Sequence, residues 1–195
     1  MQFQEIIADT VAYYPNFITP EQATNYLEQL KSEIPWRQEQ MTFGDKQVPL
    51  PRLTSWHGDE GARYYYSGIH NDPQPWTPTL SALRLECDNL FGPGHFNSVL
   101  ANYYRDGRDS ISYHADNERD LVDNSVIATI SLGTPRRFQL KSKNGTGEVK
   151  EVKVEHGSLL LMYGLCQKQW LHGIPKEKEI ELPRISLTFR TVRIK

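Results

Sequence analysis

Arg184-Ile185-Ser186-Leu187-Thr188-Phe189-Arg190 puts a polar residue at every even position and an apolar one at every odd position. A period of two marks a β-strand with unlike faces, because successive side chains of an extended chain point to opposite sides. Ile185, Leu187 and Phe189 share a face that wants a core, while Arg184, Ser186, Thr188 and Arg190 share the other. The two arginines stand at the ends of a row roughly 20 Å long, at about 3.3 Å per residue, and their long side chains can reach inward. Upstream, β-like runs cover residues 96–104, 125–132, 137–141, 149–154 and 158–163, and the last run extends over 184–194. Turn signals at Asn144-Gly145-Thr146-Gly147 and His156-Gly157 separate some of them. Seven or eight strands at this spacing, preceded by two helices, predict an α+β, mainly β chain. The expected architecture is a β-sandwich or jelly roll with helices packed outside.

The helices announce themselves through their caps. Thr19 is an N-cap, Pro20 occupies the first helical position and Gln22 completes a capping box. Ala23, Tyr26, Leu27, Leu30 and Ile34 then recur at helical spacing as far as Pro35. Thr77 and Pro78 open a second helix with Leu80, Leu83, Cys87, Leu90 and Phe91 on its apolar face, stopped by Gly92-Pro93-Gly94. Between the helices, residues 41–76 are rich in Pro, Gly, Tyr and Trp and lack long periodicity. Short strands and loops are expected there, where binding residues tend to collect.

A chain of 195 residues holds one sizeable core, so a single domain over 1–195 is expected. Within it, 1–95 carries the helices and 96–195 the strand-rich core. With 38% hydrophobic and 24% charged residues, the disordered and fibrous classes are set aside. No segment calls for a membrane, and the N-terminus has neither the basic start nor the apolar run of a secretory signal. A cytoplasmic monomer is the expectation. Cys87 and Cys166 lie far apart with no C-x-x-C companion, which argues against a zinc ribbon or a disulfide framework and for reduced thiols. A net charge of −2 does not suggest attachment to nucleic acid by bulk electrostatics. Residues 134–153 nevertheless carry six basic side chains against two acidic ones, and by charge alone they read as a solvated hairpin.

Ser112-Tyr113-His114-Ala115-Asp116, with His172 much later, carries the chemistry. If residues 114–116 are extended, His114 and Asp116 face one point. A second imidazole, from His172 on another strand, would complete a 2-His-1-carboxylate facial triad, which leaves iron positions open for a bidentate cosubstrate and oxygen. H-x-D by itself is a weak pattern whose ordinary reading is a surface histidine beside a solvated aspartate, and His57, His70, His95 and His156 keep that reading. The polar face of 184–190 strengthens the case, since a dicarboxylate chelating iron at one end could take a forked guanidinium contact at the other. Asn102 and Tyr104 share a strand face just ahead of His114, and an amide and a phenol there could hydrogen-bond that cosubstrate.

The ordered set Asn102-x-Tyr104, His114-x-Asp116, His172 and Arg184-x-Ser186-x-Thr188-x-Arg190 resembles the AlkB family of DNA and RNA dealkylating dioxygenases, over about residue 49 to the C-terminus. Pro51-Arg52-Leu53-Thr54-Ser55-Trp56, Asn97-Ser98-Val99-Leu100 and His156-Gly157-Ser158-Leu159-Leu160 look like the branch that repairs DNA in cells with a nucleus and its bacterial relatives. The resemblance implies a double-stranded β-helix, Fe(II), 2-oxoglutarate as cosubstrate, and O2. Carried over residue by residue, His114, Asp116 and His172 would bind iron. Arg184 would hold the distal carboxylate of 2-oxoglutarate, assisted by Asn102 and Tyr104, with Arg190 near the chelating end. Ser186 would lie against the cosubstrate, although it departs from the asparagine common at that position.

For the substrate, the resemblance implies a base-recognition lid within 1–95, with Tyr64 and Tyr66 stacking on a flipped base. Glu118 would face the exocyclic amine of the damaged base, and Arg52 and Trp56 are further expected substrate contacts. A methylated adenine or cytosine is cationic, so aromatic faces and a carboxylate suit it. Phe43 resembles an apolar finger that fills the space left in a duplex by the flipped base. The implied activity is oxidative demethylation of N-alkylated bases, such as 1-methyladenine and 3-methylcytosine in DNA, with formaldehyde released. The rivals are an oxygenase of the same fold acting on RNA, protein or a small molecule, and a non-catalytic jelly-roll binding module.

Overall fold

In the computed structural model, which describes residues 2–66 and 69–194 apart from the side chains of Phe43 and of residues 64–71, the chain begins with β1 (Gln4–Ile7), β2 (Val11–Tyr14) and α1 (Pro20–Glu33). There follow β3 (Gln40–Phe43), β4 (Lys46–Pro49), β5 (Leu53–Gly58), β6 (Tyr64–Tyr66), β7 (Ile69–Asn71) and α2 (Pro78–Phe91). The remainder is β8 (Ser98–Tyr104), β9 (Ile111–His114), β10 (Ile127–Gly133), β11 (Arg136–Ser142), β12 (Val149–Val154), β13 (Ser158–Met162), α3 (Cys166–Gln169), β14 (Trp170–Ile174) and β15 (Arg184–Arg190).

The amphipathic strand that opened the reading, β15, is an interior strand. It pairs antiparallel with β10 on one side and β8 on the other, in a seven-stranded sheet of order β1-β2-β13-β10-β15-β8-β5. A four-stranded sheet, β12-β11-β14-β9, faces it, and β3–β4 and β6–β7 are separate hairpins. The two facing antiparallel sheets form a double-stranded β-helix, or jelly roll.

Each face of β15 has its own destination. Ile185, Leu187 and Phe189 join Leu30 of α1 and Leu80 and Leu83 of α2 in the core outside the large sheet. Arg184, Ser186, Thr188 and Arg190 point into the space between the sheets and are buried as well. A second core, with Tyr104, Phe138, Leu140, Leu160 and Trp170, fills the rest of that space. Both helices form as their caps predict: the Thr19 hydroxyl accepts the Gln22 N–H at 3.3 Å and Thr77 accepts that of Leu80 at 3.2 Å. Gly92 ends α2 at φ +113°. Leu90, expected on the apolar face, is instead 39% exposed.

Residues 134–153 depart from a uniformly solvated basic hairpin. They form β11 and β12, but Arg136 is only 1% exposed. Its Nε donates to Glu177 at 2.9 Å, and its terminal nitrogens donate to the carbonyls of Asp106, Asp109 and Pro175. Arg137 also donates to Glu177, at 3.2 Å, while Lys150 pairs with Glu148 and Lys143 donates to the carbonyl of Gln167. Much of the local positive charge is thus matched. The Arg136–Glu177 pair ties the loops at 106–109 and 175–177 to the small sheet. Removing one partner of such a buried pair strands the other charge. Glu177→Ala should therefore lower the stability measured in urea by about 3 kcal/mol. Burial would raise the Glu177 carboxyl, but its bonds to Arg136 and Arg137 hold it below 4.5, so its contribution is present above that value and is lost as the pH falls through its lowered folded value. The variant should therefore lose part of the acid-dependent slope of the wild type.

Candidate metal centre

Strand pairing sets two imidazoles face to face. β14 pairs antiparallel with β9 so that His172 and His114 are register partners, with ring centroids 4.3 Å apart. The register shifts after His172, where Gly173 lies against the backbone of β9. A Cβ at Gly173 would come to 2.9 Å from the Ile111 carbonyl oxygen, so only glycine lets the strands approach here. Asp116 arrives differently from the expectation. β9 ends at His114, and Asp116 lies beyond it in a loop, yet its Oδ1 is 3.5 Å from His114 Nε2 and its Oδ2 is 4.0 Å from His172 Nε2. The three donor atoms lie within 4.8 Å of one another.

The protonation states suit a cation. His114 Nδ1–H donates to the Ser112 carbonyl at 2.9 Å, which turns the lone pair of Nε2 toward the other two residues. Burial, reinforced by His114, pushes the His172 imidazole down to about 3, so it is neutral near pH 7. Burial alone would raise the Asp116 carboxyl, but the Arg190 guanidinium and then the two histidines hold it well below the usual carboxylate range. Metal ligands must be deprotonated, which the shifts of His172 and Asp116 favour. Neighbouring donors around a six-coordinate cation at about 2.1 Å lie about 3 Å apart, so the three would draw inward to seat one. His114, with 24% of its side chain exposed, marks the side open to solvent.

The same cleft continues to a second polar end. Asn102, Tyr104, Arg184, Ser186 and Arg190 all line it with the triad. Arg184 is 1% exposed, and its Nη2 donates to Ser131 Oγ at 2.8 Å. Its Nε and Nη1 are buried without a hydrogen-bond partner among the described residues. Its guanidinium sits 5.2 Å from the Tyr104 ring centroid, and that of Arg136 sits 5.7 Å from it. Burial pushes Arg184 down to about 10, with the like charge of Arg136 acting in the same direction. A sealed cation with two donors to spare fits a carboxylate. Asn102 Oδ1 accepts from Arg52 Nε at 2.9 Å, which leaves its amide N–H groups for the cleft. Arg190 spends Nε and Nη2 on Asp116 Oδ2, at 3.1 and 2.7 Å.

The remaining expected site residues fall elsewhere. Arg52 is buried behind Asn102, away from the cleft lining. Trp56 donates to the Ala62 carbonyl at 2.9 Å and packs with Leu121 and Val192 in a small separate cluster. Glu118 lines an adjoining cavity that shares Asp116 and Met162 with the cleft. The side chains of Phe43, Tyr64 and Tyr66 lie outside the described residues. Reading by sequence missed Ser131, whose partner in register on β15 is Ser186. The alternation of Thr129 and Ser131 with Ile130 and Leu132 was the available signal. It also missed Phe138, stacked on His172 with centroids 5.5 Å apart, and Gln167, which accepts the Asp116 N–H.

The family model of the 2OG-Fe(II) oxygenase superfamily matches residues 10–190. The chain belongs to that superfamily and, within it, to the AlkB family. It is 40% identical to alpha-ketoglutarate-dependent dioxygenase alkB homolog 3 of Mus musculus over 192 residues, which is 93% of this chain and 66% of the relative. It is 37% identical to DNA oxidative demethylase ALKBH2 of Homo sapiens over 150 residues, 73% of this chain and 57% of the relative. It therefore spans about two thirds or less of the length of these relatives. The solved structure of OsALKBH1 superposes with a TM-score of 0.68 at 14% identity, covering 97% of this chain and 100% of that one, which supports the fold. Iron and 2-oxoglutarate, the groups in the superfamily's name, fit the two ends of the cleft: a set of three N/O donors at one, a buried guanidinium with Nε and Nη1 unpartnered among the described residues at the other.

Arg184→Met separates a ligand-binding role from a structural one. It should weaken 2-oxoglutarate binding, measured calorimetrically, by at least about 30-fold, or about 2 kcal/mol. The ligand-free variant should melt no lower than the wild type, because an apolar chain replaces a buried charge. A lower melting temperature with unchanged binding would assign Arg184 to the fold.

Proposed function

We propose that this chain is an Fe(II)- and 2-oxoglutarate-dependent dioxygenase that removes N-methyl groups from alkylated nucleic-acid bases, with 1-methyladenine and 3-methylcytosine in DNA as its substrates. One observation carries the reading: a His-Asp-His cluster and a buried arginine with two nitrogens unpartnered among the described residues share a single cleft. The substrate class is supported by the names of the relatives, one of which is called a DNA oxidative demethylase. RNA is the second nucleic acid the reading admits.

His114, Asp116 and His172 would hold the iron, and Arg184 the far carboxylate of 2-oxoglutarate, with Asn102, Tyr104 and Ser186 along its length. When bound, this pair supplies, with O2, the oxidation of an N-methyl group to a hydroxymethyl group that leaves as formaldehyde, while 2-oxoglutarate becomes succinate and carbon dioxide. The protein's own work is placement. Arg190 fixes Oδ2 of Asp116, on the His172 side, and so leaves Oδ1 turned toward His114. Phe138, stacked on His172, keeps that ring in plane and dry. The base would enter from the exposed side of His114, near Glu118, under a lid carrying Tyr64 and Tyr66, with Phe43 filling the gap in a duplex. Arg52 would act on this site through Asn102, and Trp56 by packing beneath the segment that leads to the lid. A reducing, cytoplasmic setting and a monomeric state complete the proposal. Cys87 and Cys166 are buried free thiols.

The test is mass spectrometry of an oligonucleotide carrying one 1-methyladenine, incubated with the protein, Fe(II), ascorbate and 2-oxoglutarate beside an Asp116→Ala control. Loss of one CH2 mass that requires 2-oxoglutarate and is absent from the control is expected. Succinate formed without that mass change would retain the oxygenase and reject the methylated DNA base as its substrate.

A further inference from the structure

The two histidines of the triad are held by strand pairing, but Asp116 sits in a loop and needs another restraint. α3, a single turn between β13 and β14, supplies one. The side-chain Oε1 of Gln167 accepts the backbone N–H of Asp116 at 2.8 Å. The orientation of the amide follows from its partners, because an N–H needs an acceptor and Gln167 Nε2 lies 3.5 Å from Met162 Sδ, a weak acceptor. α3 is itself anchored to the end of β11 and the turn after it. Lys143 Nζ donates to the Gln167 carbonyl at 2.8 Å, and the Lys143 N–H donates to the Gln169 carbonyl at 2.8 Å.

We propose that Gln167 is a positioning residue for the metal centre: it clamps the Asp116 backbone while Arg190 holds the carboxylate, so that the carboxylate reaches the cation without first ordering its loop. Arg190 grips the carboxylate and Gln167 grips the main chain. Together they fix both ends of a short side chain whose loop has no strand partner at Asp116. Lys143 extends the support to the β11–β12 hairpin, so a basic residue expected at the surface is partly committed to the site. The inference rests on the metal-centre reading, and its test tells the two apart.

The experiment titrates wild-type, Gln167→Leu and Gln167→Glu proteins with Mn(II), a cation suited to the same oxygen and nitrogen ligands, following the free-ion signal by electron paramagnetic resonance. Leucine removes the acceptor at similar size, whereas glutamate keeps an acceptor at the same reach. Loss of an outer partner of a metal ligand weakens affinity by about 10- to 100-fold, so Gln167→Leu should bind Mn(II) at least about 10-fold more weakly while the metal-free melting temperature stays near that of the wild type. Gln167→Glu should restore most of the affinity. Wild-type binding matched by Gln167→Leu overturns the proposal alone, as does weakened binding that the glutamate does not rescue. A wild-type protein that leaves the Mn(II) signal untouched overturns the metal-centre reading and this inference with it.

Discussion

Arg136, Arg184, Arg190, Asp116 and Glu177 are all nearly sealed from water, and each ion so placed costs several kcal/mol unless opposite charge or hydrogen bonds replace its hydration. How those costs are met decides what the cleft can do. Arg136 is matched by Glu177 and by three backbone carbonyls. Arg190 is matched by Asp116. Arg184 has a serine hydroxyl and an aromatic face, which leaves a positive surplus at that end of the cleft. At the other end a carboxylate and two imidazoles invite a cation. Opposite demands at the two ends of one narrow cleft favour a ligand that chelates with one end and carries an anion on the other, which describes a 2-oxo diacid.

A jelly roll suits this arrangement because it buries two faces of one strand for different reasons. The outer face of β15 is sealed by α1 and α2, so its inner face can be polar without losing its place in the sheet. The ladder to β8 sets Ser186 opposite Asn102 and Arg184 opposite Tyr104, while the ladder to β10 sets Ser186 opposite Ser131. Side chains that would have to meet around a cosubstrate are thus cross-strand neighbours on rigid elements, which holds them more tightly than loops could.

The parts of this architecture legible in the sequence are those whose signal is local. The alternation of residues 184–190 and the Thr-Pro openings of both helices each carry their meaning within a few residues, and the structure agrees with them. What escaped depends on partners distant in the chain. β1 and β2 were passed over because Gln4–Ile7 shows little alternation and its role is to extend an edge already built by β13. Arg136 looked like a hairpin cation because nothing near it in sequence announces Glu177. Arg52 and Trp56 belong to a recognisable stretch, but Arg52 just before β5 and Trp56 within it send their side chains to Asn102 and to the Ala62 carbonyl and not to the cleft lining. His114 and His172 could be paired in advance by type, yet their register partnership, and the glycine that permits it, emerged only from the strands.

Placing the carboxylate on a loop has a physical logic of its own. If all three ligands sat on paired strands, the donor separations would be set by ladder geometry, which is far stiffer than the preference of a cation for its bond lengths. The observed separations of 3.5 and 4.0 Å are somewhat wide for adjacent ligands, and the least constrained member of the set is Asp116. A loop that can move inward lets the centre adapt. Left alone, that freedom would cost entropy at every binding event, because ordering one residue costs about 1–2 kcal/mol. Arg190 at the carboxylate and Gln167 at the backbone confine the loop to a narrow range in advance, so the two strands supply the position of the site and the two clamps supply its readiness.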